Sequence, residues 1–277
     1  MTELSNFGLG TYKLVGNRCV DIVTQALQIG YRTIDTAVLY KNHEQIREAI
    51  KRSGIPRNEL YISSKIHDSD QKSGKIFESV EIILIELGIT YLDQLLLHSA
   101  VEGKYIESYK QLEKLQGLGL VRNIGVSNFR IDELENLLSR IESGEIKQKP
   151  FINQFEVSPF CTRNELVTFC KNHGIKVQVY GSLTAGRKLN DERLLVISAK
   201  VKMNPCDLLL QWGLQKGYYL IPKSETEQHL KENFANKDKN NVLDESIMKE
   251  LDDLNESYYT IWKHRDKNIN NINNVLS

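Results

Sequence analysis

YRTIDTAVLYKNHEQIREAIKRSG (31–54) holds a short β-type run, YRTIDT (31–36), and then an amphipathic stretch, EQIREAIKRSG (44–54), that stops at a glycine. A glycine there is the usual helix stop. The same alternation runs along most of the chain. Further strand candidates are FGLGT (7–11), LYISSK (60–65), LDQLLLH (92–98), VRNIGVS (121–127), FINQFEV (151–157), KVQVYG (176–181) and YYLIPK (218–223). Helix candidates include VDIVTQALQIG (20–30), KIFESVEIILIELG (75–88) and YIESYKQLEKLQGLG (105–119). Repeated β–α units force parallel strands, because each crossover helix returns the chain to the same edge. Eight units favour closure into an α/β (β/α)8 TIM barrel over an open doubly wound sheet, with the active site at the C-terminal face of the strands.

Two helix starts carry a chemical signature. Thr162 with Glu165 predicts a capping box, and Asn204-Pro205 predicts an N-cap followed by a first-turn proline. The seventh strand is followed by a long connection, TAGRKLNDERLL (184–195), and two helical stretches. Long connections on this face of a barrel usually serve function. No domain boundary is visible, so residues 1–277 are expected to form one barrel domain, with an Asn-rich tail (267–277) that frays or docks.

The chain carries 36 Lys plus Arg and 36 Asp plus Glu, a net charge of zero. That argues against nucleic acid or an anionic membrane as the main partner. No apolar run approaches membrane-spanning length, and the first residues lack an apolar leader. Cys19, Cys161, Cys170 and Cys206 are scattered without a CxxC pair and read as reduced thiols, so a cytoplasmic location is expected.

Asp35, Tyr40, Lys65 and His98 fall at or just past predicted strand ends. Taken singly, each is an ordinary polar residue: a surface tyrosine, a strand-end cap, a solvated lysine, a satisfied core histidine. Placed together on one barrel rim, they suit proton transfer. A free phenol has a pKa near ~10, and a nearby ammonium favours the phenolate. Lys65 is expected to lower Tyr40 in this way, Asp35 to hold Lys65, and His98 to orient a substrate oxygen. No nucleophile has a partner base, and no His/Asp/Glu cluster has metal spacing.

These residues lie in stretches that resemble the aldo-keto reductase family. The matches are GLGTYK (8–13), GYRTIDTAVLYKNHEQIREAI (30–50), ELYISSKI (59–66), LDQLLLH (92–98), RNIGVSNF (122–129), NQFEVSP (153–159) and IPKSETEQHLKEN (221–233), in the family's order. The resemblance implies NADPH-dependent reduction of an aldehyde or ketone to an alcohol, with Asp35, Tyr40, Lys65 and His98 as the catalytic tetrad. It also implies cofactor contacts. Thr11 belongs to the matching GLGTYK stretch. Ser127, Asn128 and Gln154 would meet the nicotinamide carboxamide, and Tyr180 would stack under the ring. The turn holding Ser182 and Leu183 would face the pyrophosphate. Lys223 and Ser224 would meet the adenosine phosphate, with Thr226, Glu232 and Asn233 around the adenosine. A small-molecule carbonyl partner and a monomeric state are implied too.

The chain departs from the family pattern in places. His229 stands where NADPH-preferring members place Arg, whose fork grips a phosphate as imidazole cannot. Lys223 still points to NADPH, while His229 admits NADH. Tyr12, His67 and Ser99-Ala100 replace frequent tryptophans and a proline, so a more polar substrate mouth is expected, unless Trp262 or Tyr258 refills it. The short segment before Phe7 suggests a reduced hairpin plug at the barrel bottom. Arg187 and Lys188 read equally as a pyrophosphate clamp or a solvated basic pair. Two rival functions are a Schiff-base aldolase using Lys65 and a non-catalytic cofactor-sensing module. The intact tetrad and the GVSNF and IPKS segments oppose both.

Overall fold

A computed structural model of the chain describes residues 2–238 and 242–261. Eight strands pair in parallel in chain order: β1 (Leu9–Gly10), β2 (Thr33–Asp35), β3 (Tyr61–Ile66), β4 (Leu92–Leu97), β5 (Val121–Ser127), β6 (Ile152–Glu156), β7 (Lys176–Tyr180) and β8 (Tyr219–Leu220). The last strand meets the first. Gly8 N donates to Leu220 O (2.8 Å), Leu220 N to Asn6 O (2.8 Å) and Gly10 N to Pro222 O (3.2 Å). The sheet is therefore closed, as the β–α repeat predicts. Gly10 permits that closure, because a Cβ there would lie 2.6 Å from Ile221 O.

The helices are α1 (Gly16–Ile29), α2 (His43–Ser53), α3 (Asp68–Ser73), α4 (Ile76–Leu87), α5 (Tyr105–Gly117), α6 (Ile131–Glu142), α7 (Asn164–Asn172), α8 (Glu192–Val201), α9 (Pro205–Gln215), α10 (Glu227–Ala235) and α11 (Glu245–Asp252). Their apolar faces join the strands in one core. β4 is buried along its whole length, as a strand covered on both sides must be. Leu95 and Leu97 of that strand belong to the cluster that also holds Ile83 of α4 and Leu112 of α5. Truncating one such leucine to alanine costs about 2–5 kcal/mol.

The barrel interior is polar where such interiors are usually branched and apolar. Tyr61 OH donates to Gln94 Oε1 (3.2 Å), Gln94 Nε2 to Ser63 Oγ and Gln178 Oε1 (3.0 Å each), and Gln154 Nε2 to Gln178 Oε1 (2.9 Å). A buried polar chain is costly wherever a member is unbonded; in this one Gln178 Nε2 lacks a partner, and the chain runs up to the rim at the carboxyl ends of the strands. On the outer side of β4, the buried Asp93 carboxylate takes Arg57 (2.7 Å), Arg122 (2.8 Å) and the Ile62 amide (2.9 Å). Tyr91 lies between the two guanidiniums, 4.1 and 4.0 Å from its ring centre.

Three sequence expectations change. Strands β1, β2 and β8 are shorter than predicted, and Tyr40 sits on a 3-10 turn, Val38–Tyr40. The predicted Thr162 capping box does not form. Arg163 takes a left-handed conformation (φ 49°), the helix starts at Asn164, and Thr162 Oγ1 has no partner. The Asn204 cap does form, accepting from Asp207 N at 2.8 Å with Pro205 at the first helical position. Among the described residues no hairpin precedes β1.

Candidate active site

Lys65 is fully buried at the end of β3, with its Nζ at the centre of a short network. It donates to Asp35 Oδ1 (2.5 Å), Thr36 O (2.8 Å) and Tyr40 OH (3.3 Å). Three protons meet three acceptors, so the ammonium has no rotational freedom left. The strand period puts Ser63 and Lys65 on the inward face of β3, and Gln94, Leu96 and His98 follow the same spacing along β4 and its end. His98 stands edge-on to Tyr40, ring centres 6.0 Å apart at 76°. The four sequence-selected residues therefore converge on one rim.

The electrostatics follow from burial and pairing. Burial pulls Lys65 down, but Asp35 and Tyr40 together outweigh it and the pKa ends above the ordinary lysine value. For Tyr40, burial pushes the phenol up, Lys65 pulls it down, and Asp35 pushes it up again; the net direction is up. This corrects the expectation of a depressed Tyr40. Lys65 does act in the lowering direction, but desolvation wins. The phenol therefore stays protonated at neutral pH.

Gln154 Nε2 bonds the second Asp35 oxygen (2.8 Å) as well as Gln178. Asp35 is thus fixed from two sides, and Gln154 has only its amide oxygen left to offer a carboxamide. Thr11 is buried and ties β1 to β2, its N and Oγ1 both donating to Asp35 O (3.0 and 2.9 Å). Tyr180 OH donates to Asn128 Oδ1 (2.6 Å), and Asn128 Nδ2 donates to His98 O and Ser127 Oγ (3.0 Å each). Asn128 adopts a positive φ of 58°. Ser127, Asn128, Gln154 and Tyr180 therefore form one bonded group beside the tetrad.

The turn after β7 offers Leu183, half-buried, and Ser182, whose buried Oγ has no hydrogen-bond partner. A buried orphan hydroxyl is the mark of a missing ligand or water. Further round, Thr226 caps α10 by accepting from His229 N (3.1 Å), leaving a helix N-terminus suited to an anion. Ser224 Oγ accepts from Asn233 Nδ2 (2.8 Å), while Glu232 accepts from Gln228 (2.8 Å) and His229 is exposed. Lys223 pairs with Glu225, so a phosphate there competes with an internal carboxylate.

At the expected substrate mouth the Tyr12 ring packs against Tyr40 at a tilt of 52°, ring centres 5.1 Å apart. His67 caps α3, its Nδ1 accepting from Ser69 N (3.2 Å). Ser99 is fully buried: its hydroxyl bonds Asp68 and its carbonyl accepts from Gln71 (2.9 Å). Ser99 thus ties the loop after β4 to α3 instead of lining an open mouth. Trp262 lies outside the described residues. Arg187 and Lys188 are not a freely solvated pair. Lys188 pairs with Glu256 (2.6 Å) and Asp191 (3.4 Å), and Arg187 donates to Thr260 O (3.4 Å).

Sequence reading missed Glu156 and Gln178, both buried at the barrel interior. The available signal was a polar residue inside a strand-type run, FINQFEV and KVQVYG. Among the described residues no group of three His, Cys, Asp or Glu could hold a metal, and no helix is long and apolar enough to cross a membrane.

The model of the Aldo/keto reductase family matches residues 6–256. The chain is similar to glyoxal reductase of Bacillus subtilis (strain 168), 40% identical over 83% of this chain and 82% of the other. It is similar to methylglyoxal reductase DkgB of Salmonella typhimurium, 36% identical over 81% of this chain and 84% of the other. Among solved structures it is similar to MGS-M4, an aldo-keto reductase enzyme from a Medee basin deep-sea metagenome library. The TM-score is 0.85 at 31% identity, covering 93% of each chain.

Proposed function

This chain belongs to the aldo-keto reductase family and is an NAD(P)H-dependent oxidoreductase, and on that premise we propose that it reduces small carbonyls, α-dicarbonyls first, with NADPH as donor and Tyr40 as proton source. The observation that carries the reading is Lys65 Nζ bonded to both Asp35 and Tyr40 OH. The similarity to a glyoxal reductase and a methylglyoxal reductase supports the dicarbonyl choice. The polar residues Tyr12 and His67 near the mouth favour small polar substrates over large apolar ones.

When bound, the reduced nicotinamide supplies the hydride. Ser127, Asn128 and the Gln154 oxygen would hold its carboxamide, and Tyr180 its ring. Ser182, Lys223, Ser224 and the α10 N-terminus would hold its phosphates. His98 directs the substrate carbonyl oxygen toward Tyr40. As the new C–H bond forms, the carbonyl oxygen takes the Tyr40 proton and becomes a hydroxyl. The phenolate left behind is stabilised by Lys65, whose own charge is held by Asp35. The phenol then regains its proton from solvent.

A Schiff-base role for Lys65 is disfavoured, because its amine is buried, triply bonded and held in the charged form. The four cysteines are free, which suits action in a reducing cytoplasm. We expect the enzyme to act as a monomer, as its family resemblance implies. The direct test is initial rates of NADPH and NADH oxidation with methylglyoxal, glyoxal and aromatic aldehydes. Oxidation of cofactor on adding a dicarbonyl is expected; cofactor binding without turnover on any carbonyl overturns the reading in favour of a sensing module.

A further inference from the structure

Glu156 is the last residue of β6, with 2% of its surface exposed, and it has no part in the proton transfer above. A buried carboxylate normally sits against Lys or Arg. This one instead accepts from backbone more than a hundred residues away. Thr260 N (2.7 Å), Ile261 N (3.1 Å) and the Thr260 hydroxyl all donate to it. Hydrogen bonds to a charged acceptor are the stronger kind.

The place matters as much as the bonds. In the sheet Glu156 is the register partner of Tyr180. Gly181, at φ +70°, clears the space beside it: a Cβ there would lie 3.0 Å from Glu156 Cγ. The segment that Glu156 holds is gripped elsewhere as well. Phe160 O accepts from Glu256 N (3.2 Å) and Tyr258 N (2.9 Å), and Asn255 Oδ1 accepts from Thr162 N (3.1 Å). Glu256 pairs with Lys188 (2.6 Å) and Arg193 (2.9 Å). Residues 255–261 thus bridge the loops after β6 and β7, the two loops that flank Tyr180 and Ser182. The contacts at 255–258 hold the near part of the segment. Glu156 fixes where its far end crosses the rim.

We propose that Glu156 is a positioning residue, one that holds residues 260–261 on the rim beside Tyr180 and so sets the affinity for the carbonyl substrate. The assignment rests on the reductase reading. Glu156→Gln replaces one acceptor oxygen with a donor facing N–H groups, and Thr260→Pro removes two donors from the other side, the Thr260 N–H and hydroxyl, without touching the barrel. Three quantities are measured for both variants: KM and kcat for methylglyoxal, the NADPH dissociation constant by fluorescence quenching, and hydrogen exchange of the peptide spanning 256–261. Each variant loses at least one such bond, about tenfold in equilibrium terms, which predicts a KM at least about tenfold higher in each. kcat and NADPH affinity should hold within about twofold, with faster exchange. The double variant should be no worse than the more affected single one, because both break the same contact. An unchanged KM in an active enzyme, or an equal loss of NADPH affinity, overturns the assignment and leaves the reductase reading intact. A wild type that reduces no carbonyl overturns both.

Discussion

Gln154 donates its side-chain amide to Asp35 across the barrel, from β6 to β2, at 2.8 Å. The bond occupies the Asp35 oxygen that Lys65 does not, so the carboxylate is held by an amide on one side and an ammonium on the other. Gln154→Leu removes that donor and leaves Asp35 and Gln178 each short of a bond. An unsatisfied buried acceptor costs about 1–3 kcal/mol. Urea unfolding should show a loss of that size, together with weaker NADPH binding. Unchanged unfolding would mean that the bond contributes nothing net.

Tyr40→Phe deletes the proposed proton donor while keeping the ring that packs near Tyr12 and His98. Turnover should fall about 10²–10⁴-fold, with NADPH affinity unchanged. Because the Tyr40 phenol is raised, the acid form persists through neutral pH. The reduction rate of the wild type should therefore stay level from pH 7 upward and decline only beyond the ordinary phenol value of about 10. An alkaline limb near pH 8 would contradict the raised direction.

His229 stands exposed on the first turn of α10, close in sequence to Lys223 and its partner Glu225. His229→Arg adds a planar fork suited to a phosphate. The NADPH dissociation constant should drop by about tenfold, or about 1.4 kcal/mol, with the NADH constant little changed. Titration of protein fluorescence with each cofactor measures both; equal changes for the two would rule out a phosphate contact.

His43 is buried under α2, its ring nitrogens bonded to Glu86 (2.9 Å) and Ser64 (3.1 Å). Burial lowers its pKa, only partly offset by Glu86. In the unfolded chain it titrates near ~6.5. Below that pH the unfolded state binds a proton that the folded state does not. The stability conferred by neutral His43 is thus present above about 6.5 and is lost as pH falls from there through the folded-state pKa. The slope for one proton is at most about 1.4 kcal/mol per pH unit. His43→Phe should flatten the stability profile between pH 6.5 and 5 in chemical denaturation; an unchanged slope would place the effect elsewhere.

The tetrad was legible because its members sit at the ends of strands whose pattern is local. A β-type run followed by an amphipathic helix marks the carboxyl end of each strand, and YRTIDTAVLY and LYISSKI carry that mark beside the reactive residues. Thr162 failed as a cap for an equally local reason: Arg163 takes a left-handed turn, moving the helix start one residue on. The pairing of Lys188 was hidden for a distant reason, since its partner Glu256 arrives from the other end of the chain.

The sequence by itself determined the eight-fold β–α alternation, the parallel barrel and the four residues on its rim, because periodicity and strand ends are short-range properties. Only the tertiary structure decided the sign of the Tyr40 shift, the amide chain from Gln94 to Asp35, and the grip of Glu156 on Thr260 and Ile261. Desolvation and hydrogen bonding depend on which groups become neighbours in space, and those neighbours lie up to 119 residues apart along the chain.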